Sequence, residues 1–162
     1  RGVPMLTICG TYQLFGHFFK TNLGKKIPGI SIFDAYTIAG NKRKIGNIVV
    51  EINPSIINRQ LVGFENHSGN TFICKKNKAG DTFPLGKTIK GFGNNDKNKT
   101  AGAVYKNVIG TYLHGPILPK NPHLADFLIK KALEIKYKKK FNLKPLNDNL
   151  EWQAHKTAIK MA

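Results

Sequence analysis

LTICGTYQLFG, residues 6–16, places a thiol where a short apolar run gives way to glycine and a helix-like pattern. The run predicts a buried strand over residues 5–9. Residues 10–20 read as the start of a helix, with Tyr12, Leu14, Phe15, Phe18 and Phe19 as its apolar positions. A side chain at a sharp strand-to-helix bend is pushed out into the open. The N–H groups of the first helical turn point at it and favour the thiolate, the reactive form. The Gly10 N–H is placed to hold an oxyanion. The local pattern suits acyl transfer through Cys9; a structural cysteine closing a strand is the competing reading.

A cysteine nucleophile needs a base, and the chain has five histidines. His114 stands apart because NVIGTYL, residues 107–113, repeats the first pattern. An apolar strand ends on a polar residue, and His114-Gly115-Pro116 stops it. In open α/β sheets ligands bind at the carboxyl ends of strands, where Cys9 and His114 would both sit. His17, His123 and His155 read as surface or hydrogen-bonded structural residues. His67, in FENH, either lines the same edge or orders a turn.

Outward from these stretches, strands are expected at Asn47–Ile52 and Gln60–Asn66, continuing at Thr71–Cys74. Asn22–Gly29 reads as a loop, Ile30–Phe33 as a short strand or turn, Lys75–Thr82 as a polar loop, and Gly91–Gly102 as a turn. A helix starts at Pro122 and runs in 3.6-residue periodicity into Lys138-Lys139-Lys140; another is expected over Asn149–Ala162. The pattern is that of one α/β domain. A strand that delivers a nucleophile usually lies mid-sheet, yet almost nothing precedes this one. Residues 1–162 therefore read as the C-terminal portion of a single larger domain.

The 162 residues are 41% hydrophobic, enough for a buried core. No apolar run approaches the roughly 20 residues of a membrane span, and no signal peptide is evident. The two cysteines, Cys9 and Cys74, show neither CxxC nor zinc-ligand spacing. Sparse thiols fit a reducing, cytoplasmic compartment. The net charge of +17 raises nucleic acid or an anionic membrane as partners. Aromatics are not interleaved with the basic runs, which speaks against a nucleic-acid stacking surface. The Lys138–Lys140 run is the segment suited to peripheral contact with a membrane face.

TICGTYQLFG (7–16) and VIGTYLHGP (108–116), with GFENHSGNTF (63–72) and GFGNND (91–96) between them, occur in one order. Together they resemble the GatD family of glutamine amidotransferase subunits. More broadly they resemble the cobyric-acid-synthase-like branch of class I glutamine amidotransferases. The resemblance runs from Arg1 to about Trp152, with a longer Cys74–Phe83 loop here. It implies an open, mostly parallel sheet with flanking helices, flavodoxin-like. It also implies hydrolysis of glutamine to glutamate and ammonia, with Cys9 as nucleophile and His114 as proton shuttle. Gly10 would supply an oxyanion N–H, Gln13 and Tyr112 would shape the glutamine pocket, and Arg43 would bind the substrate α-carboxylate. No cofactor or metal is implied in this subunit. ATP and Mg are expected in a Mur-ligase-like partner, MurT, which would use the ammonia to amidate the D-glutamate of lipid II in peptidoglycan synthesis.

The chain departs from the family pattern at Thr11, where a second glycine is usual and a side chain is expected to crowd the bend. Ala101 stands where relatives often carry glutamate. Pro116 replaces the acid often found two residues after the histidine, so an orienting carboxylate would come from elsewhere, such as the partner. Two other readings stay open: a cobyrinate or cobyrate amidotransferase, and a catalytically inactive basic binding protein.

Overall fold

The computed structural model describes residues 2–74 and 82–162. Most of the loop expected at Lys75–Thr82, and of the longer Cys74–Phe83 segment, lies outside the described residues. The fold is α/β, as expected, and its sheets are mixed. β1 (Met5–Ile8) pairs in parallel with β9 (Val108–Thr111), and β9 pairs antiparallel with β8 (Ala103–Tyr105). A second sheet runs β3 (Lys26–Pro28), β2 (Phe18–Lys20), β4 (Ala35–Ile52), β6 (Gly86–Lys90), β7 (Thr100–Ala101), with β5 (Gln60–Ile73) also paired to β4. Among the described residues only β1–β9 and β2–β4 are parallel. The antiparallel pairings follow from the connections. A parallel pair needs a long crossover, as between β1 and β9, whereas β4 and β5 are joined by residues 53–59 alone.

The expected strands at Asn47–Ile52 and Gln60–Asn66 are the far halves of β4 and β5, which run together as one long hairpin. The helix expected over 10–20 stops early. α1 spans Gly10–Leu14, because the chain must turn tightly at Gly16 to start β2. A Cβ on Gly16 would lie 2.6 Å from the Ala35 carbonyl oxygen. The Asn22–Gly29 loop contains the short β3. α2 (Pro122–Tyr137) and α3 (Asn149–Met161) lie where their periodicity put them.

Two apolar clusters hold the sheets. Ile48, Val50, Leu61, Leu85, Ile109 and Leu113 form one, capped by Leu124 of α2. Tyr12, Phe33, Ala35, Ala103, Val108 and Tyr112 form the other, under α1. Within it, Tyr12 stands edge-on to Phe33 and Tyr112, at 5.6 and 5.2 Å between ring centres.

α3 docks through rings rather than aliphatic side chains. Trp152 stacks on His123 at 5.2 Å, Arg59 covers Trp152, and His155 Nδ1 donates to the Lys120 carbonyl, 2.7 Å away. A carbonyl only accepts, so both His155 Nδ1 and His123 Nε2, 3.0 Å from the Gln60 carbonyl, carry hydrogens. His123 Nδ1 is then buried without a hydrogen-bond partner. Burial, then the neighbouring His155, pushes the His123 pKa down to about 4. The unfolded chain, with its histidine near 6.5, takes up a proton that the native state refuses. The contribution is whole above pH 6.5 and is lost as pH falls toward about 4. The ring is partly solvated, so we expect about 1–2 kcal/mol rather than the full linkage value. Urea unfolding of the native protein and His123→Gln checks this: native minus variant stability should fall by that amount from about pH 7 to about pH 4.5.

Candidate active site

Cys9 leaves β1 with φ 55° and ψ −111°, a backbone conformation that non-glycine residues rarely hold. Its N–H donates to the Thr111 carbonyl at 2.9 Å, and its carbonyl accepts from Gln13 N at 3.0 Å. The bend is thus pinned on one side to β9 and on the other to α1. Ile8 lies beside Thr111 in the parallel register. Cys9 therefore emerges next to Tyr112, and His114 follows on the same edge. α1 is only five residues long, so the favourable field at the thiol is that of a single turn.

Thr11 does not crowd the bend. It lies within α1, exposed, and the positive φ falls on Cys9 instead. Gly10 is exposed too, with nothing within 4 Å of where a Cβ would stand. Restoring the second glycine with Thr11→Gly should shift stability by no more than about 0.5 kcal/mol, as for an ordinary surface change, and urea unfolding would show it.

His114 is held by the backbone of β5. Its N–H donates to the Phe64 carbonyl at 2.8 Å, and its Nδ1 lies 3.1 Å from the same oxygen. The carbonyl can only accept, so Nδ1 bears the hydrogen and Nε2 presents its lone pair. The Phe64 carbonyl thereby fixes the tautomer and aim of the ring, a task the absent acid at Pro116 would otherwise perform.

Beneath this edge lies a buried polar network. Gln13 Nε2 donates to the Tyr112 hydroxyl at 3.2 Å, and that hydroxyl is 2.6 Å from Thr71 Oγ1, itself 2.8 Å from Thr37 Oγ1. Burial holds the Tyr112 pKa above the usual phenol value, despite opposing hydrogen bonds from Thr71 and Gln13. Gly69 lets β5 pass close to this cluster: a Cβ there would lie 2.6 Å from Gln13 Nε2 and 3.0 Å from the Tyr112 hydroxyl. His67 stacks flat on Tyr112 at 3.6 Å between ring centres, so it belongs to the site's floor.

Arg43 sits in a bulge of β4. Ala39 pairs with Gly69 and Lys44 with His67, so residues 40–43 loop out opposite Ser68 alone. Its Nε donates to Asn66 Oδ1 at 2.7 Å, beside the Phe64 and His67 positions of β5, and the side chain is exposed. The next residue, Lys44, is turned inward and only 2% exposed, with Nζ donating to Asn70 Oδ1 at 2.8 Å. Burial lowers its pKa, against the raising effect of Asp96 and Glu65.

Sequence reading missed Phe64, Lys44, Glu65 and Gly69. Only the closeness of Phe64 and Glu65 to His67 in one motif pointed toward them. Ala101 is a core residue of β7. A cavity of about 800 Å³ lies at the other end of the β4–β5 hairpin, between Glu51, Asn53, Arg59 and Lys87, and none of the expected site residues is among its described lining.

A profile of the CobB/CobQ-like glutamine amidotransferase domain matches residues 1–122. The chain is 43% identical over 161 residues to "Lipid II isoglutaminyl synthase (glutamine-hydrolyzing) subunit GatD" of Staphylococcus aureus N315, covering 99% of this chain and 62% of that protein. Against the protein of the same name from Streptococcus pneumoniae R6 it is 40% identical over 147 residues, covering 90% of this chain and 54% of that one. A probable cobyric acid synthase of Methanococcus maripaludis C7 is 32% identical over 140 residues, covering 80% of this chain and 26% of that protein. The chain thus spans less than two thirds of the length of the two GatD proteins it resembles. With its profile match across three quarters of the sequence, the chain belongs to the CobB/CobQ-like glutamine amidotransferase family.

Proposed function

We propose that this chain hydrolyses glutamine and passes the ammonia to a partner subunit of an amide-forming synthase. The observation that carries the reading is the strained Cys9 bend at the end of β1, alongside β9, the strand that His114 follows with its Nδ1 engaged by the Phe64 carbonyl. The Cys9 sulfur attacks the side-chain carbonyl of glutamine. His114 takes the thiol proton and returns it to the departing ammonia. Water, deprotonated by His114, then splits the thioester to glutamate and frees the thiol. The Gly10 N–H stabilises the oxyanion. Gln13 and Tyr112 line the amide pocket, and Arg43 offers a planar fork to the α-carboxylate.

The higher identity to the two GatD subunits than to the cobyric acid synthase favours a MurT-like partner over a corrin-forming one. The partner would hold ATP and Mg and amidate the D-glutamate of lipid II to D-isoglutamine. No described helix is long and apolar enough to cross a membrane. We place the complex in the cytoplasm, at the inner membrane face where lipid II is made.

Labelling the full-length protein with a glutamine-mimicking diazoketone, followed by peptide mass spectrometry, tests this. The expected adduct is on Cys9, absent from Cys74, and blocked by glutamine. No adduct on Cys9, even with the partner subunit present, would overturn the reading and favour the inactive basic binding protein.

A further inference from the structure

A second constellation lies apart from Cys9 and His114. His17 at the start of β2, Asp34 just before β4 and Cys74 just after β5 bring one ligand atom each to within 4.8 Å of one another. We infer that His17, Asp34 and Cys74 bind a zinc-class transition-metal ion that clips the ends of three strands together.

The donor set selects the metal. A thiolate with an imidazole excludes the hard cations magnesium and calcium and suits zinc or cobalt. One carboxylate and one thiolate cancel a divalent charge, which matters in a chain of net charge +17. Bond lengths of about 2.0–2.3 Å put tetrahedral ligand atoms roughly 3.3–3.8 Å apart. His17 Nε2 and Asp34 Oδ1 are 2.8 Å apart and all three ligand atoms lie within 4.8 Å, so small side-chain rotations that part the first pair and draw in the others bring the set to that spacing. Three protein ligands leave one position for water.

The positions are fixed by backbone bonds that do not depend on a metal. His17 N donates to the Ala35 carbonyl at 2.7 Å, and Cys74 N donates to the Asp34 carbonyl at 2.8 Å. Ala35 and Ile73 pair in the ladder immediately beside them. Sites on such held elements keep their geometry better than sites on free loops. Ser31 Oγ, 3.0 Å from His17 Nδ1, can accept that N–H and turn the Nε2 lone pair toward the ion. The His17 side chain is 39% exposed, so an ion has an entry path. No zinc spacing was visible in the sequence because the three ligands come from three separate elements.

Zinc chloride titration of the full-length protein, with cobalt as the spectroscopic probe, tests this. One equivalent should bind at micromolar or lower concentration, and cobalt should give a thiolate charge-transfer band. The band should vanish in Cys74→Ser and survive in Cys9→Ser, and His17→Gln should weaken zinc binding at least about tenfold. If Cys74→Ser fails to fold, zinc should slow alkylation of Cys74 in the native protein at least about tenfold instead. Binding that depends on Cys9, a band that survives loss of Cys74, unchanged Cys74 alkylation, or no stoichiometric uptake would leave His17 and Asp34 as a plain ion pair and overturn the site.

Discussion

Replacing His114 with alanine should lower glutamine hydrolysis by about 10²–10⁴-fold, the span a positioned acid–base group supplies, and Cys9→Ala should cost at least as much. The two losses should not add. In the proposed mechanism the thiol and the imidazole act as one unit, so the double variant should be no worse than Cys9→Ala alone. Ammonia release by the full-length protein with its partner measures all three. Cys74→Ser is the control, expected within about twofold of the native rate because it lies outside the pair. A Cys9→Ala protein that still released ammonia at a measurable fraction of the native rate would put the nucleophile elsewhere. The orienting group is the Phe64 carbonyl, with no side chain to delete. Substitutions of Phe64 should therefore act through the path of β5 rather than through lost charge.

That carbonyl also marks where sequence reading runs out. The strands that lead to Cys9 and His114 were legible because each is a compact apolar run, and β1 and β9 pair in parallel side by side. α2 and α3 were legible from periodicity. The first half of β4 was not. Its residues 40–44 read Gly-Asn-Lys-Arg-Lys, a solvated loop by composition, yet Lys44 is buried and the strand continues through a bulge. Lysine and glutamate are almost never fully buried unless paired. A buried charge therefore becomes visible only when its partners are, and those sit on other elements. The truncation of α1 was silent for a related reason: the apolar pattern at Phe18 and Phe19 continues, but in β2, after the close approach that Gly16 permits.

Glu65 is the buried charge whose removal should be felt most in stability. It is 0% exposed, and its two carboxylate oxygens accept from Phe92 N at 2.6 Å and Gly93 N at 3.1 Å. His67 Nε2 stands 3.6 Å from the same carboxylate. The turn so held leads straight to Asn94, whose Oδ1 takes the Tyr12 hydroxyl at 3.2 Å, immediately below the Cys9 bend. On the other side His67 lies flat on Tyr112. One carboxylate thus ties the GFGNN turn to both aromatic residues that underlie the site. Glu65→Ala would strand two backbone donors and leave Asp96 as the remaining anion near Lys44, a loss of about 3–5 kcal/mol. Glu65→Gln keeps the shape but turns one acceptor into a donor facing an N–H, so about 1–3 kcal/mol should go. Urea unfolding should rank native above Glu65→Gln above Glu65→Ala. The reverse order would mean that the carboxylate's desolvation outweighs its bonds. The expected order instead makes the carboxylate worth its burial, because its two bonds to the GFGNN turn fix one arrangement of Asn94 and Tyr12 where an apolar filling would allow several.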